Sequence, residues 1–366
     1  MTCFAIALCL LAERPGEPQV RAKFDELVAA SKLHGLSACV ILKDGSKVLL
    51  AKGFADEEKL EALTPKHRFL AGSTGKTFFA ALAMQLDKEG KIDLQKPLAE
   101  YLGNEPWYKR LPNHDSVTLA QLMRHQSGIP EHLDNPNLVP ALLKDPTRTW
   151  TPSEMVAFSL DKNPLFKPGE GWSYSDTNYI LLAMAIEKAT GRQAYAMIDE
   201  RFIRPFKLMS TEPSIKLSYP LFSNGHHNNG ALFTNGWALS DGRLKTNPQF
   251  EWAGGGYVTN PEDLATWIRA LVSGEVLDKP TRDKMQVGVP ARTGRNHEYA
   301  LGLMIRPSDL GKSYGHGGWY PGYITDVQHF PDLGVTVCIM ANSDNGADFG
   351  INYQQYCVEL ARAASY

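Results

Sequence analysis

The sequence predicts an α+β fold: an antiparallel five-stranded sheet, flanked by helices from both chain ends, with a large, mainly helical insert. Three observations predict it. Apolar and β-branched runs bounded by turn residues lie towards the two ends, at Leu36–Leu42, Lys47–Gly53, Lys312–Gly317, Tyr323–Phe330 and Val335–Ala341. The stretch between them, about 119–208, has helical spacing. Gln19–Leu33 and Asn352–Ala364 read as terminal helices.

Taken in order, Gln19–Leu33 places Val20, Phe24, Leu27 and Val28 on one face and stops before Gly35. The next two strands are joined through Asp44-Gly45, a strong hairpin signal. The run Phe78–Leu86 forms a buried helix, Gly90–Tyr101 a polar connection, and Val117–His125 a helix ended by Ser127-Gly128-Ile129-Pro130. Tyr179–Thr190 is an apolar helix stopped by Gly191. After a loop-rich stretch from Ser210 to Phe250, Asn260-Pro261-Glu262-Asp263 starts a helix over Leu264–Val272. The expected division is a sheet domain of residues 18–72 plus 251–366 and a mainly helical domain of residues 73–250.

A chain of 366 residues with 43% hydrophobic and 21% charged residues has the composition of a soluble globular protein. Its formal net charge of −2 gives no basic footprint for nucleic acid and no polybasic membrane patch. The longest internal apolar run, Tyr179–Ile186, is too short to span a bilayer. Residues 1–17, with an apolar stretch at Cys3–Ala12 but no positive start, read as an export signal or, alternatively, as a short apolar segment packed on the mature fold. A secreted or periplasmic protein is therefore expected. Cys39 and Cys338 sit in buried-looking strands, where free thiols and a bridge between them both stand as readings. No cysteine spacing matches a zinc site. His226-His227, with Asn228-Asn229, lacks a third ligand at a suitable spacing and reads as a polar loop near the cleft mouth. Neither metal nor cofactor is expected.

Ser73-Thr74-Gly75-Lys76 carries the chemistry. Residues at i and i+3 share a helix face, so the lysine nitrogen can reach the serine oxygen, and a serine hydroxyl needs such a neighbour to become a nucleophile. A phosphate-binding loop would need a glycine where Leu70 stands, and the polar turn Thr64–Arg68 is no strand. The tetrad alone recurs by chance, so its partners matter. Tyr174, in a turn before the apolar helix, is a candidate proton shuttle; acting as a base requires a cation such as Lys76 beside it. The segment Tyr314–Gly322 is dense in glycine, which lets a substrate approach the strand. The backbone N–H groups of Ser73 and Trp319 are the candidate oxyanion donors. Tyr257, Trp319 and Tyr320 read equally as pocket residues and as core or rim packing.

With these pieces in this order, the chain resembles the serine hydrolases related to class C β-lactamases and D-alanyl-D-alanine carboxypeptidases, a family that also includes esterases and D-amino-acid peptidases. The family pattern is S-x-x-K, then Tyr-x-Asn, then a Lys/His-Thr/Gly-Gly strand, matched here by Ser73–Lys76, Tyr174-Ser175-Asp176 and His316-Gly317-Gly318. Connecting segments match as well: Leu122–Pro130, Lys167-Pro168-Gly169-Glu170 and Asn260–Ala265. The resemblance implies Ser73 as nucleophile, Lys76 as the holder of its proton and Tyr174 as general base and then acid. Asp176, His316, Gly317, Gly318 and Trp319 would bind substrate, with His316 also tuning Tyr174. Which of Lys76 and Tyr174 takes the serine proton stays open.

Two departures from the pattern carry meaning. Asp176 replaces the asparagine that would donate to substrate; an ionised aspartate only accepts, and it can pair with Lys76 and raise its pKa. His316 replaces a lysine and would hold a substrate carboxylate less firmly. Both argue against an efficient β-lactamase. The expected function is hydrolysis of amide or ester bonds through an acyl-enzyme on Ser73, with small-molecule or peptide substrates. The alternative is a catalytically silent peptidoglycan- or peptide-binding member of the same fold.

Overall fold

The computed structural model describes residues 16–228, 230 and 233–365; the Cys3–Ala12 stretch, Cys9 and Asn229 lie outside them. Among these residues the main sheet consists of β1 (Gly35–Ile41), β2 (Lys47–Asp56), β3 (Glu61–Ala62), β4 (Val289–Pro290), β5 (Glu298–Tyr299), β6 (Met304–Ser308), β7 (Gly311–Tyr320), β8 (Tyr323–Phe330) and β9 (Val335–Ala341). Their spatial order is β4-β5-β6-β7-β8-β9-β1-β2-β3, antiparallel throughout. The five expected strands are contiguous at its centre. The sheet is wider than expected because β3, β4 and β5 have 2 residues each and β6 has 5, too short to leave a periodic signal.

Both faces of the sheet are covered, which is why β1, β8 and β9 are buried at every position. Side chains alternate across the strand. Leu36, Ala38 and Val40 of β1 meet Val20, Phe24 and Leu27 of α1 (Glu17–Ala29), together with Tyr356 and Leu360 of the C-terminal helix Tyr353–Ala363. Cys39 and Ile41 face the other, larger core. There α2 (Lys76–Lys88) is apolar almost all round and correspondingly buried. The helix Pro261–Ser273 lies against it, capped by the Asn260 side chain accepting from Asp263 N–H at 2.9 Å. Trp267 of that helix stacks on Phe78, ring centroids 4.3 Å apart, and its indole N–H donates to Thr77 Oγ1 at 2.8 Å.

Cys39 stands opposite Cys338 in the β1/β9 register, and both thiols are free and buried. Arg306 of β6 forms a buried ion pair with Asp326 of β8 at 2.7 Å. α3 (Asp176–Thr190) ends at Gly191, whose φ of 66° supplies the left-handed turn. Among the described residues no helix is long and apolar enough to cross a membrane.

Candidate active site

Ser73 lies in a 3-10 turn, Gly72–Gly75, that leads directly into α2, with Lys76 as the first residue of the helix. In a 3-10 turn residues i and i+3 eclipse, and Lys76 Nζ accordingly donates to Ser73 Oγ at 2.8 Å. The turn is held against the end of β7. Gly72 has φ 53°, and a β-carbon there would sit 2.7 Å from the Trp319 nitrogen, so only glycine lets the two backbones meet. The Ser73 and Trp319 main chains therefore share one side of the cleft.

Lys76 is wholly buried. Its other partners are the Gly254 carbonyl and the Asp176 carboxylate, the latter at 2.5 Å. Burial works to lower the lysine pKa, but the Asp176 charge, aided by Tyr174, overrides it and holds Lys76 above its ordinary range. The ammonium lies 4.9 Å from the centre of the Tyr174 ring. Burial pushes the Tyr174 phenol up to about 12, against the pull of Lys76, so this hydroxyl keeps its proton at neutral pH. A cation is beside Tyr174 as expected, but Asp176 has already neutralised it.

Behind Tyr174 its ring packs on His125, centroids 4.1 Å apart. His125 takes a left-handed φ of 59°, and its Nδ1 accepts from Ser175 N–H at 3.1 Å. His316 lies deeper. Its Nδ1 donates to the Gly317 carbonyl at 2.6 Å, and its Nε2 accepts from the Tyr299 hydroxyl at 2.8 Å. Burial, then the Lys76 charge, lowers His316 to about 3, so the ring is neutral.

The cleft above these groups measures about 320 Å³, enough for a small substrate. Of the residues singled out in the sequence, Ser73, Tyr174, Asp176, Trp319 and Tyr320 line it. Tyr257 is instead buried between Phe78 and Tyr195. His316, Gly317 and Gly318 are absent from the lining, and all three are buried. A β-carbon at Gly318 would run into the Ala71 carbonyl, which is why these strand residues support the turn rather than face the cavity. His226-His227 forms a short strand, with His227 buried against Asp344.

Sequence reasoning missed the cleft's acidic wall of Glu131, Asp134 and Glu251. Glu131 accepts from Leu133 N–H at 3.0 Å and from Asp176 N–H, and it pairs with His132 Nδ1 at 2.7 Å. Asp176 is the first residue of α3, so Glu131 satisfies an otherwise orphaned helix N–H at the positive end of the helix dipole. Burial raises the Glu131 carboxyl, but His132 and these N–H donors bring it below its usual range. The signals available in the sequence were a glutamate directly after the Ser127–Pro130 breaker and another just before Gly254-Gly255-Gly256.

A family model for β-lactamase matches residues 20–356. The chain belongs to the β-lactamase family. Its relatives in that family include a D-aminopeptidase of Brucella anthropi, 27% identical over 85% of this chain and 56% of that protein. The crystal structure of a D-stereospecific amidohydrolase from Streptomyces sp. superposes with a TM-score of 0.77 at 29% identity, covering 91% of this chain and 96% of that one. The D-amino acid amidase of Ochrobactrum anthropi SV3, complexed with D-phenylalanine, shares the fold with a TM-score of 0.80 at 23% identity, covering 95% and 98%. This family member is a hydrolase of the β-lactamase-related type.

Proposed function

We propose that this protein hydrolyses amides of D-amino acids that carry a free amino group, through an ester formed on Ser73. The observation that carries the reading is the Lys76 Nζ–Ser73 Oγ contact of 2.8 Å at the floor of a cleft walled by Glu131, Asp134, Asp176 and Glu251. A serine with an amine in reach makes acyl-enzymes, and an acidic wall favours a substrate ammonium. The same wall disfavours β-lactams, whose carboxylate would face these acids, while His316 is buried and neutral and Lys76 is paired with Asp176. The D-configuration and the amide bond rest on the names of the relatives.

In the reaction Ser73 Oγ attacks the carbonyl carbon, and its proton passes to Lys76 in its free-amine form. The developing oxyanion is held by the main-chain N–H groups of Ser73 and Trp319. As the carbon–nitrogen bond breaks, the Tyr174 hydroxyl protonates the leaving nitrogen and regains a proton from Lys76; a phenol that keeps its proton at neutral pH suits this step. Water then takes the acyl group by the same route in reverse. Because Asp176 stabilises the ammonium, the free amine is scarce at neutral pH and turnover rises with pH.

The test is Ser73→Ala assayed on D-phenylalanine amide, L-phenylalanine amide, p-nitrophenyl butyrate and nitrocefin. Turnover should be greatest on the D-amide and vanish in the variant, and a fluorophosphonate should label only the native serine. Unchanged turnover in Ser73→Ala, or no adduct on the native chain, would refute the reading.

A further inference from the structure

The segment 250–256 passes beside the nucleophile, and its Glu251 has no part in the steps above. The side chain lines the Ser73 cleft and the residue is 7% exposed, yet Oε2 has no hydrogen-bond partner among the described residues. An unbonded buried carboxyl oxygen is costly. The backbone is bent to keep it there. Trp252 has φ 37° and ψ −116°, a region that residues other than glycine avoid, and a β-carbon at Gly255 would lie 2.3 Å from Glu251 Oε1. Backbone strain next to an unsatisfied acid points to function.

Several groups face this carboxyl. The charges of Asp176 at the start of α3 and Lys76 on α2 act on it, it acts in turn on the Tyr195 and Tyr320 phenols, and Glu131, His132 and Asp134 line the same cleft. Asp176 is occupied by Lys76, and Glu131 by His132 and two N–H donors. Asp176 Oδ1 likewise lacks a hydrogen bond, but its charge is paired with Lys76; Glu251 is the buried acid of the cleft without an ion pair among the described residues.

We infer that Glu251 determines specificity by giving up its proton to pair with the substrate ammonium, remaining an uncharged acid when the ligand carries no positive charge. The inference rests on the D-amino-acid amide reading and deepens it. The step balances: the ammonium enters as a cation, the carboxyl proton leaves to solvent, and carboxylate and ammonium pair in the cleft. Burial first, then the Asp176 charge, raises the free Glu251 to about 8, so at pH 7 about 0.9 of a proton per site is available for release.

The experiment is calorimetric titration of the native chain at pH 7 with D-phenylalaninol, which bears the amine and is not hydrolysable, in two buffers of different ionisation heat. N-acetyl-D-phenylalaninol is the uncharged control. Release approaching one proton is expected for the amine and none for the control. Glu251→Gln should release none and bind the amine about ten- to a hundredfold more weakly, with control affinity unchanged. Proton release persisting in Glu251→Gln, or undiminished amine affinity, overturns the inference. If Glu251→Gln does not fold, the native chain decides: amine affinity rising from about pH 6 to about pH 8 while control affinity stays flat supports it, and parallel profiles overturn it. The two readings fail separately. Cleavage of D-phenylalanine amide through Ser73 with full amine affinity in Glu251→Gln removes the role of Glu251 alone; absence of both cleavage and amine binding in the native chain removes the substrate reading beneath it.

Discussion

Replacing Asp176 with asparagine should convert Lys76 from an ion-paired ammonium into an available base. Two unit charges 2.5 Å apart attract by roughly 6–7 kcal/mol at an effective dielectric of about 20, which corresponds to about five pK units. Burial of a lysine opposes this by up to about 3–5 units. In the native site the attraction prevails and Lys76 lies above its ordinary range. In Asp176→Asn burial becomes the dominant influence, and the lysine should titrate between about 5.5 and 7.5. At pH 7 the free-amine fraction then climbs from below about one in a thousand to about a tenth or more. A weaker base returns part of that gain, leaving about tenfold or more in kcat/KM. The base must be deprotonated to act, so activity is present above its pKa and lost below it. The ascending limb of the pH–rate profile should accordingly move to lower pH. The assay is kcat/KM for a D-amino acid p-nitroanilide across about pH 5 to 10. A fall in activity with an unmoved limb would refute this argument and show that the Asp176 carboxylate itself relays the proton.

Two further outcomes follow from the geometry. Gly72→Ala places a β-carbon 2.7 Å from the Trp319 nitrogen at a left-handed position, pushing one oxyanion donor aside; kcat should fall about 10²–10³-fold, and an unchanged kcat would remove Trp319 N–H from the reaction. Arg306→Met strands the fully buried Asp326 carboxylate, at a cost of about 3–5 kcal/mol, which urea unfolding followed by circular dichroism would register; an unmoved midpoint would show that the pair adds no stability.

The parts of the site legible in the sequence are those fixed at short range. A spacing of three residues on a tight turn is enough to bring an amine to a hydroxyl, so Ser73 and Lys76 could be paired without coordinates. Asp176 could be foreseen as a partner for Lys76 because one carboxylate stood where an amide was expected. The rest depends on elements distant in the chain. Glu131 and Glu251 look locally like ordinary charged residues; only the docking of α3 and of segment 250–256 beside Ser73 makes them walls of a cleft. His316 reads as a substrate contact until the strand register turns it towards Tyr299. The protonation of Tyr174 is not legible locally, because it depends on full burial and on a Lys76 charge already neutralised by Asp176. In the fold the long central strands were readable and the two-residue edge strands were not.

The Ser73 turn is clasped by Gly254 and Trp319, contributed by segments about 180 and 245 positions further along the chain. Closing such long loops comes late in folding, because their entropy is lost before the contacts repay it. Reactivity towards a fluorophosphonate should therefore appear only once sheet and helices have assembled, making one covalent tag a clock for acquisition of the native state.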